Sequence, residues 1–198
     1  MQLNLRRLLI FLLILALSVG FGFGFDATMT AIEKHDYPLH ATYAQSIRQN
    51  ADEYGVPESI LWAVIRTESD FQSNLVGEDG SIGLMQLTPA EFTHITTQIL
   101  GEEASEEGML YYPEKNLQCG AAYLSYLYQK FGVWETVFAA YAVGEDTVTD
   151  WLTDENYSSD RATLKQVPSG KVAAYVEQVA HAHRLYTKLY FASSSTTT

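Results

Sequence analysis

Residues 57–69 read PESILWAVIRTES and predict a helix that carries an acid among apolar side chains. Leu61, Val64 and Ile65 precede Glu68 by seven, four and three residues, so helical geometry places all four side chains on one face, which is therefore the buried one. Burial raises the pKa of a carboxyl group because it disfavours the charged form. A carboxylic acid kept protonated in this way can protonate a leaving oxygen, as glycosidases require. A buried Glu68 satisfied by a backbone group or an arginine is the alternative.

A glycine-punctuated loop follows this helix. Residues 80–86 read GSIGLMQ, and Gly77 precedes them. Glycine lets a backbone turn sharply and approach a ligand closely. A loop of this kind directly after the acid favours the catalytic interpretation of Glu68.

Helical patterns continue through most of the chain. Gly55 is a typical C-cap, while Thr88, Pro89 and Glu91 form the pattern of a capping box. Because no sustained period-two alternation occurs, the sequence predicts an all-α fold. The expected helices cover residues 42–54, 57–69, 88 onward, 116–131, 134–143, 147–152 and 172–191, with loops at 70–88, 101–108 and 156–169.

The N-terminus has the pattern of a membrane-targeting segment. Arg6 and Arg7 precede an apolar run from Leu8 to Phe25, which is just long enough to span a bilayer as a helix. The positive flank predicts a cytoplasmic N-terminus and a domain outside the cytoplasm. We therefore expect a single-pass anchor in the cell membrane; a cleaved signal peptide, which would release a secreted protein, is the alternative.

The predicted organisation has four parts. Residues 1–25 form the anchor or signal, and residues 26–41 a juxtamembrane linker or short docking segment. Residues 42–192 form one helical domain, and residues 193–198 a low-complexity tail that we expect to be disordered.

Composition excludes several classes of function. The 198 residues carry a formal net charge of −12, which opposes binding to nucleic acid or anionic lipid. Cys119 is the only cysteine, so no internal disulfide forms, and clusters of Cys and His that would bind a metal are absent from the sequence. His181 and His183 are expected on a solvated helix face. We expect neither a metal nor another cofactor.

Four blocks in a fixed order resemble the catalytic domain of the soluble lytic transglycosylases (Slt type). That domain is lysozyme-like and cuts bacterial peptidoglycan, and the resemblance extends over about residues 43–190. The blocks are Glu68-Ser69, residues 80–86, Pro113–Leu117 with Gly120 and Tyr123-Leu124, and Ala140-Tyr141 with Gly144.

The resemblance implies a set of site residues. Glu68 takes the position of the single catalytic acid/base of the family. Tyr141 matches a hydroxyl close to the acid, and Tyr175 matches a tyrosine near the floor of the cleft, with core packing as its alternative role. The implied substrate-binding residues are Ser69, Gly83, Met85, Gln86, Tyr141 and Tyr175.

Three positions depart from the family pattern. Ala142 stands where the family usually has an asparagine, Gly77 where it often has a serine, and Lys171 where it usually has a glutamate. Each departure removes a polar contact of about 1–3 kcal/mol if the contact is buried. The resemblance therefore leaves a slow enzyme, one with altered specificity, or an inactive binder open.

The activity implied by the resemblance is lytic transglycosylation at the bond between N-acetylmuramic acid (MurNAc) and N-acetylglucosamine (GlcNAc), with one carboxylate as acid and then base. Asp70 is two residues from Glu68 and points to another face. Two alternatives remain: a muramidase in which Glu78 or Asp79 steers a water, and a peptidoglycan-binding module without turnover. The implied partners are glycan strands, the cytoplasmic membrane through the N-terminal helix, and a protein complex of the envelope.

Overall fold

The computed structural model describes residues 25, 27–103 and 106–192. The chain divides into two compact units, Met1–Pro38 and Leu39–Thr198. The predicted anchor, apart from Phe25, and the predicted tail at residues 193–198 lie outside the described residues. In the part of the chain that is described, no helix combines the length and the apolar character needed to cross a membrane.

In the first unit, residues 27–36 are helical. The sequence predicted a juxtamembrane linker or docking segment over residues 26–41 and did not predict this helix. A helix rises about 1.5 Å per residue, against about 3.3 Å for an extended chain, so the stretch reaches less far than an extended linker would.

The second unit is helical, which confirms the all-α prediction. Across residues 39–103 and 106–192 it contains isolated β-bridges, such as that between Ile82 and Leu87, and no strand. Its α-helices are α1 (Ala41–Tyr54), α2 (Glu58–Glu68), α3 (Pro89–His94), α4 (Pro113–Phe131), α5 (Trp134–Val143), α6 (Glu145–Thr153) and α7 (Gly170–Tyr186). Shorter turns of π- or 3-10-helix cover Ile95–Ile99, Glu107–Tyr111 and Thr187–Phe191.

Local signals account for where several helices begin and end. The Thr88 capping box is confirmed: the Thr88 hydroxyl accepts from the Glu91 N–H at 3.3 Å, and the Glu91 carboxylate accepts from the Thr88 N–H at 2.8 Å. Gly55 is the predicted C-cap of α1, at φ 66°. The predicted start of α4 at residue 116 was three residues late, because Pro113 fits the first turn of a helix.

Helix α2 is buried around its whole circumference. Every side chain from Ile60 to Ile65 is fully enclosed, and Ser59 is nearly so. The prediction of a single buried face was therefore too narrow, because α7 and α1 both pack against α2. The first residue, Glu58, and the last turn are partly exposed, and Arg66 of the last turn pairs with Asp70.

Trp62 is at the centre of the packing around α2. Its ring lies 5.5 Å from that of Phe71 and 5.9 Å from that of Tyr186, measured between centroids. Asp70 and Phe71 both adopt left-handed backbone conformations, at φ 48° and 62°, which are uncommon for non-glycine residues. The packing of Phe71 against Trp62 and His40 holds this turn, and the chain after Glu68 folds back beside the end of α2.

Candidate active site

Glu68 is the last residue of α2 and is half-buried at the wall of a cleft. Burial raises its pKa to about 7, and the nearby charges of Glu91 and Asp79 also raise it. The raised pKa expected from the sequence is confirmed. Arg66, the arginine nearest to Glu68 in the sequence, pairs with Asp70.

The Tyr175 side chain extends from α7 to Glu68. Its hydroxyl donates a hydrogen bond to Glu68 Oε1, which opposes part of the rise in the Glu68 pKa. Burial, followed by the charge of Glu68, raises the pKa of Tyr175 well above 10, so the phenol keeps its proton. The side chain lines the cleft.

The cleft has a volume of about 190 Å³ and a mostly polar wall. Of the residues expected at the site, Glu68, Gln86, Tyr141 and Tyr175 line it. Asp79, Ser81, Thr88, Glu91 and Ala142 complete the lining. A larger cavity of about 720 Å³ lies between α1 and α4, and Glu68 is not among its lining residues.

Ser69 lies beneath the loop and not in the cleft. Its side chain is 2% exposed, and its hydroxyl lies 2.8 Å from the Leu84 carbonyl and 3.2 Å from the Ile65 carbonyl, both acceptors. Ser69 thus joins the end of α2 to the loop. Its substrate-binding role stays a prediction, and the enclosed hydroxyl already has two carbonyl acceptors.

Gly83 and Met85 are also below the surface of the cleft. Gly83 has φ 84°, and a Cβ there would lie 2.5 Å from Nδ2 of Asn116. The Met85 side chain is fully buried against Gly120, where a Cβ would lie 2.6 Å from the methionine. Their substrate-binding role stays a prediction, and any contact from Met85 would come from its backbone.

Asn116 of α4 fixes the loop from below. Its Oδ1 accepts from the Met85 N–H at 2.8 Å, and its Nδ2 donates to the carbonyls of Ile82 at 2.8 Å and Leu110 at 3.1 Å. The residue is fully buried. Asn116 lies within the block Pro113–Leu117, and no role was predicted for it from the sequence. The sequence signal that could have identified it is a polar residue beside the apolar positions of the predicted helix over residues 116–131.

Tyr141 and Gln86 hold the rim of the loop. The Tyr141 hydroxyl donates to the Met85 carbonyl at 2.7 Å, and burial raises its pKa well above 10. Gln86 Nε2 donates to the carbonyls of Gly83 at 2.8 Å and Leu75 at 3.2 Å. Gln86 has φ 47°, a sparsely populated conformation for a residue with a side chain.

Two acids besides Glu68 line the cleft. The first is Asp79, which the sequence suggested as the water-steering acid of a muramidase. The second is Glu91, which was assigned from the sequence only to the capping box. The Ser81 hydroxyl and backbone N–H hydrogen-bond to Asp79 and lower its pKa. Glu78 is exposed and is not among the cleft residues. Lys171 is exposed on the first turn of α7.

His183 differs from its predicted solvated position. It is half-buried on α7, and burial lowers its pKa. His181 is exposed, as predicted. In the described ranges, no group of three or more His, Cys, Asp or Glu side chains is arranged to bind a metal.

Comparisons with known proteins find lytic transglycosylases that are similar to part of this chain. The soluble lytic murein transglycosylase of Escherichia coli K12 is 33% identical over 127 residues, 63% of this chain and 20% of the relative. The membrane-bound lytic murein transglycosylase C of Yersinia enterocolitica is 29% identical over 119 residues, 59% of this chain and 33% of the relative.

Solved structures agree with these relatives. The 70 kDa soluble lytic transglycosylase of Escherichia coli aligns over 81% of this chain and 26% of its own, with 28% identity and a TM-score of 0.70. An inactive mutant of the Pseudomonas aeruginosa lytic transglycosylase Slt aligns over 78% of this chain and 25% of its own, with 27% identity and a TM-score of 0.67.

The chain spans about a fifth of the length of the Escherichia coli relative and a third of the Yersinia relative. The sequence model of the Transglycosylase SLT domain family matches residues 45–164, which is more than half of the chain. The chain therefore belongs to the transglycosylase SLT domain family.

Proposed function

We propose that this protein is a peptidoglycan lytic transglycosylase, which cleaves the β-1,4 bond between MurNAc and GlcNAc and leaves a 1,6-anhydro-MurNAc end. The observation that carries the proposal is Glu68, which lines a cleft and has a pKa of about 7. The relatives are named for action on murein, which is peptidoglycan. The Pseudomonas aeruginosa relative is inactive when a glutamate is replaced by glutamine.

In the first step, Glu68 protonates the glycosidic oxygen. Tyr175 donates to Oε1, so Oε2 is the oxygen that carries the transferred proton. The acetamido oxygen of MurNAc forms a bond to the anomeric carbon as the bond to the GlcNAc oxygen breaks. In the second step, ionised Glu68 takes the proton of the MurNAc C6 hydroxyl. The C6 oxygen displaces the acetamido oxygen and closes the anhydro ring, so no water is consumed.

Tyr175 stabilises the ionised state of the acid. Its raised pKa keeps the phenol a donor, and its hydrogen bond is stronger to the carboxylate than to the neutral acid. The ionised Glu68 that exists between the two steps is thereby stabilised. The charges of Glu91 and Asp79 act in the opposite direction and favour the protonated acid before the first step.

A muramidase is the second candidate function. One observation favours Asp79 over Glu78 as its water-orienting group: Asp79 lines the cleft, and its lowered pKa keeps it ionised beside a protonated Glu68. Glu91 is less suited, because its Oε2 accepts from both the N–H and the hydroxyl of Thr88. The product of this reaction would have a free reducing end.

A binding module without turnover is the third candidate. Its support is the loss of the family's polar groups at Gly77, Ala142 and Lys171. Ala142 lines the cleft, so the missing amide there leaves that part of the wall without a hydrogen-bonding side chain.

Mass spectrometry of the products formed from purified peptidoglycan tests these three functions. The full-length chain in mild detergent is compared with a Glu68→Gln variant and with Glu53→Gln, which alters an exposed glutamate outside the cleft. Lytic transglycosylation gives anhydromuropeptides with the unaltered protein and Glu53→Gln, and none with Glu68→Gln. Reducing-end products would support the muramidase, and binding without release would support the module.

The location of the enzyme is a further part of the proposal. The apolar run from Leu8 to Phe25 after Arg6 and Arg7 supports a single-pass anchor with the catalytic domain outside the cytoplasm. Such a tether restricts cleavage to glycan strands close to the membrane and suits action within an envelope protein complex. Protease protection of spheroplasts tests this topology: external protease should digest residues 39–192.

A further inference from the structure

Three polar side chains surround Gly77 at the wall of the cleft. A Cβ at Gly77 would lie 2.3 Å from Ser81 Oγ, 2.8 Å from Asp79 Oδ1 and 3.0 Å from Gln86 Oε1. Asp79, Ser81 and Gln86 all line the same cleft as Glu68. We call these three side chains the Gly77 cluster. The Ser81 hydroxyl occupies the space that a side chain at position 77 would need.

The hydrogen bonds of the Gly77 cluster use the proton of the Ser81 hydroxyl. Gln86 Nε2 donates to the Gly83 and Leu75 carbonyls, so Oε1 is the atom that faces Ser81, at 3.0 Å from its Oγ. The Asp79 carboxylate lies beside the same Gly77 position and accepts the Ser81 N–H at 3.1 Å. Both groups are acceptors, and a serine has one hydroxyl proton. That proton is therefore used within the cluster, and the lone pairs of Oγ remain for the cleft.

A wall that presents lone pairs recognises a hydrogen-bond donor. The carboxylate of Asp79, ionised because its pKa is lowered, adds negative charge behind the hydroxyl. Both sugars of the substrate in the proposed function carry one neutral donor of this kind beside the anomeric carbon, the N–H of the 2-acetamido group. Glu68 acts on the oxygen at that same carbon.

We infer that the Ser81 hydroxyl accepts a hydrogen bond from the 2-acetamido N–H of the sugar whose glycosidic bond Glu68 protonates. This inference rests on the proposed function and assigns one of its specificity-determining residues. A hydrogen bond accepted from the N–H increases the electron density on the acetamido oxygen. Since that oxygen attacks the anomeric carbon in the proposed first step, Ser81 assists the reaction as well as the binding.

The same geometry explains the glycine at position 77. A serine there would place its Cβ 2.3 Å from Ser81 Oγ, so the Ser81 hydroxyl would have to leave its present position. With alanine at 81 the closest obstacle is removed, and the remaining neighbours are the ends of the Asp79 and Gln86 side chains, which can shift. The hydroxyl lost at position 77 is thus supplied from position 81.

Relocation of the hydroxyl tests the inference. The full-length chain carrying Glu68→Gln, which prevents turnover, is titrated calorimetrically with a GlcNAc–MurNAc tetrasaccharide. Adding Ser81→Ala should weaken binding about tenfold, the loss of one net hydrogen bond. The double change Gly77→Ser with Ser81→Ala should restore affinity to within about threefold, whereas Gly77→Ser alone should weaken it. Ser73→Ala, outside the cleft lining, is the control.

The outcomes separate this inference from the proposed function. Unchanged affinity after Ser81→Ala, or no recovery in the double variant while both proteins unfold at the control's temperature, overturns the role of Ser81. Absence of tetrasaccharide binding by the Glu68→Gln protein overturns it as well. Failure of the unaltered chain to form anhydromuropeptides overturns only the proposed reaction, because the affinity comparison requires no turnover.

Discussion

Replacement of Tyr175 by phenylalanine isolates the hydrogen bond on the catalytic acid. The change removes the hydroxyl that donates to Glu68 Oε1 and keeps the aromatic ring. That hydrogen bond lowers the pKa of Glu68 against the larger effect of burial. Its removal therefore raises the pKa of Glu68 above about 7.

The expected magnitude follows from the strength of a hydrogen bond to a charged group. Such a bond contributes about 1.5–3 kcal/mol, and because water can reach the half-buried Glu68 we take the lower end. In Tyr175→Phe the pKa of Glu68 should therefore rise by about one unit. The maximal rate should fall about tenfold, since ionised Glu68 loses stabilisation between the two steps.

The assay is the pH dependence of kcat/KM for anhydromuropeptide release. Activity that needs protonated Glu68 falls as pH rises through about 7, and in Tyr175→Phe this alkaline limb should lie at higher pH. Tyr126→Phe is the matched control, because Tyr126 donates to Glu145, outside the cleft. An unchanged alkaline limb together with a full rate would refute the role given to Tyr175.

Three further predictions concern stability and the loop. Because the folded-state pKa of Glu68 is about 7 against 4.5 ordinarily, its ionisation destabilises the folded state as pH rises from 4.5 to 7. In urea unfolding, the free energy of unfolding of Glu68→Gln relative to that of the unaltered protein should rise over that range, by on the order of 2–3 kcal/mol. An equal difference between the two proteins at pH 4 and at pH 8 would contradict this prediction. Asn116→Ala removes three buried hydrogen bonds, to the Met85 N–H and to the Ile82 and Leu110 carbonyls, and only Ile82 keeps another partner, the Leu87 N–H. It should therefore lower the unfolding free energy by about 2–4 kcal/mol and reduce glycan release. Gly83→Ala places a Cβ 2.5 Å from Asn116 at φ 84°, so it should cost more than about 1 kcal/mol, whereas Gly108→Ala, with open space, should cost little.

The acid and its helix could be predicted from local sequence. Three apolar residues at helical spacing before Glu68 were enough to indicate its burial and its raised pKa. The extent of burial of α2 could not be predicted, because periodicity distinguishes one face from another only when a helix has a solvent side. Helices α1 and α7 both cover α2, and their packing depends on the tertiary fold.

The rest of the site depends on contacts between distant parts of the chain. Tyr175 is 107 residues from Glu68, and Tyr141 is 56 residues from Met85, so only the family resemblance indicated their positions. The capping-box pattern was sufficient to explain Glu91 from the sequence, so its position in the cleft was not predicted. Ser69 and Met85 were expected to touch substrate, yet their side chains are enclosed by the contacts that shape the loop.

Digestion of peptidoglycan in heavy-oxygen water tests the central claim most directly. If Glu68 acts first as acid and then as base on the C6 hydroxyl, the released muropeptides carry no heavy oxygen and are lighter by one water than hydrolysed products. Their formation should cease in Glu68→Gln. Heavy oxygen at the anomeric carbon of the products would contradict the claim, because it would show that water, and not the C6 hydroxyl, attacks that carbon.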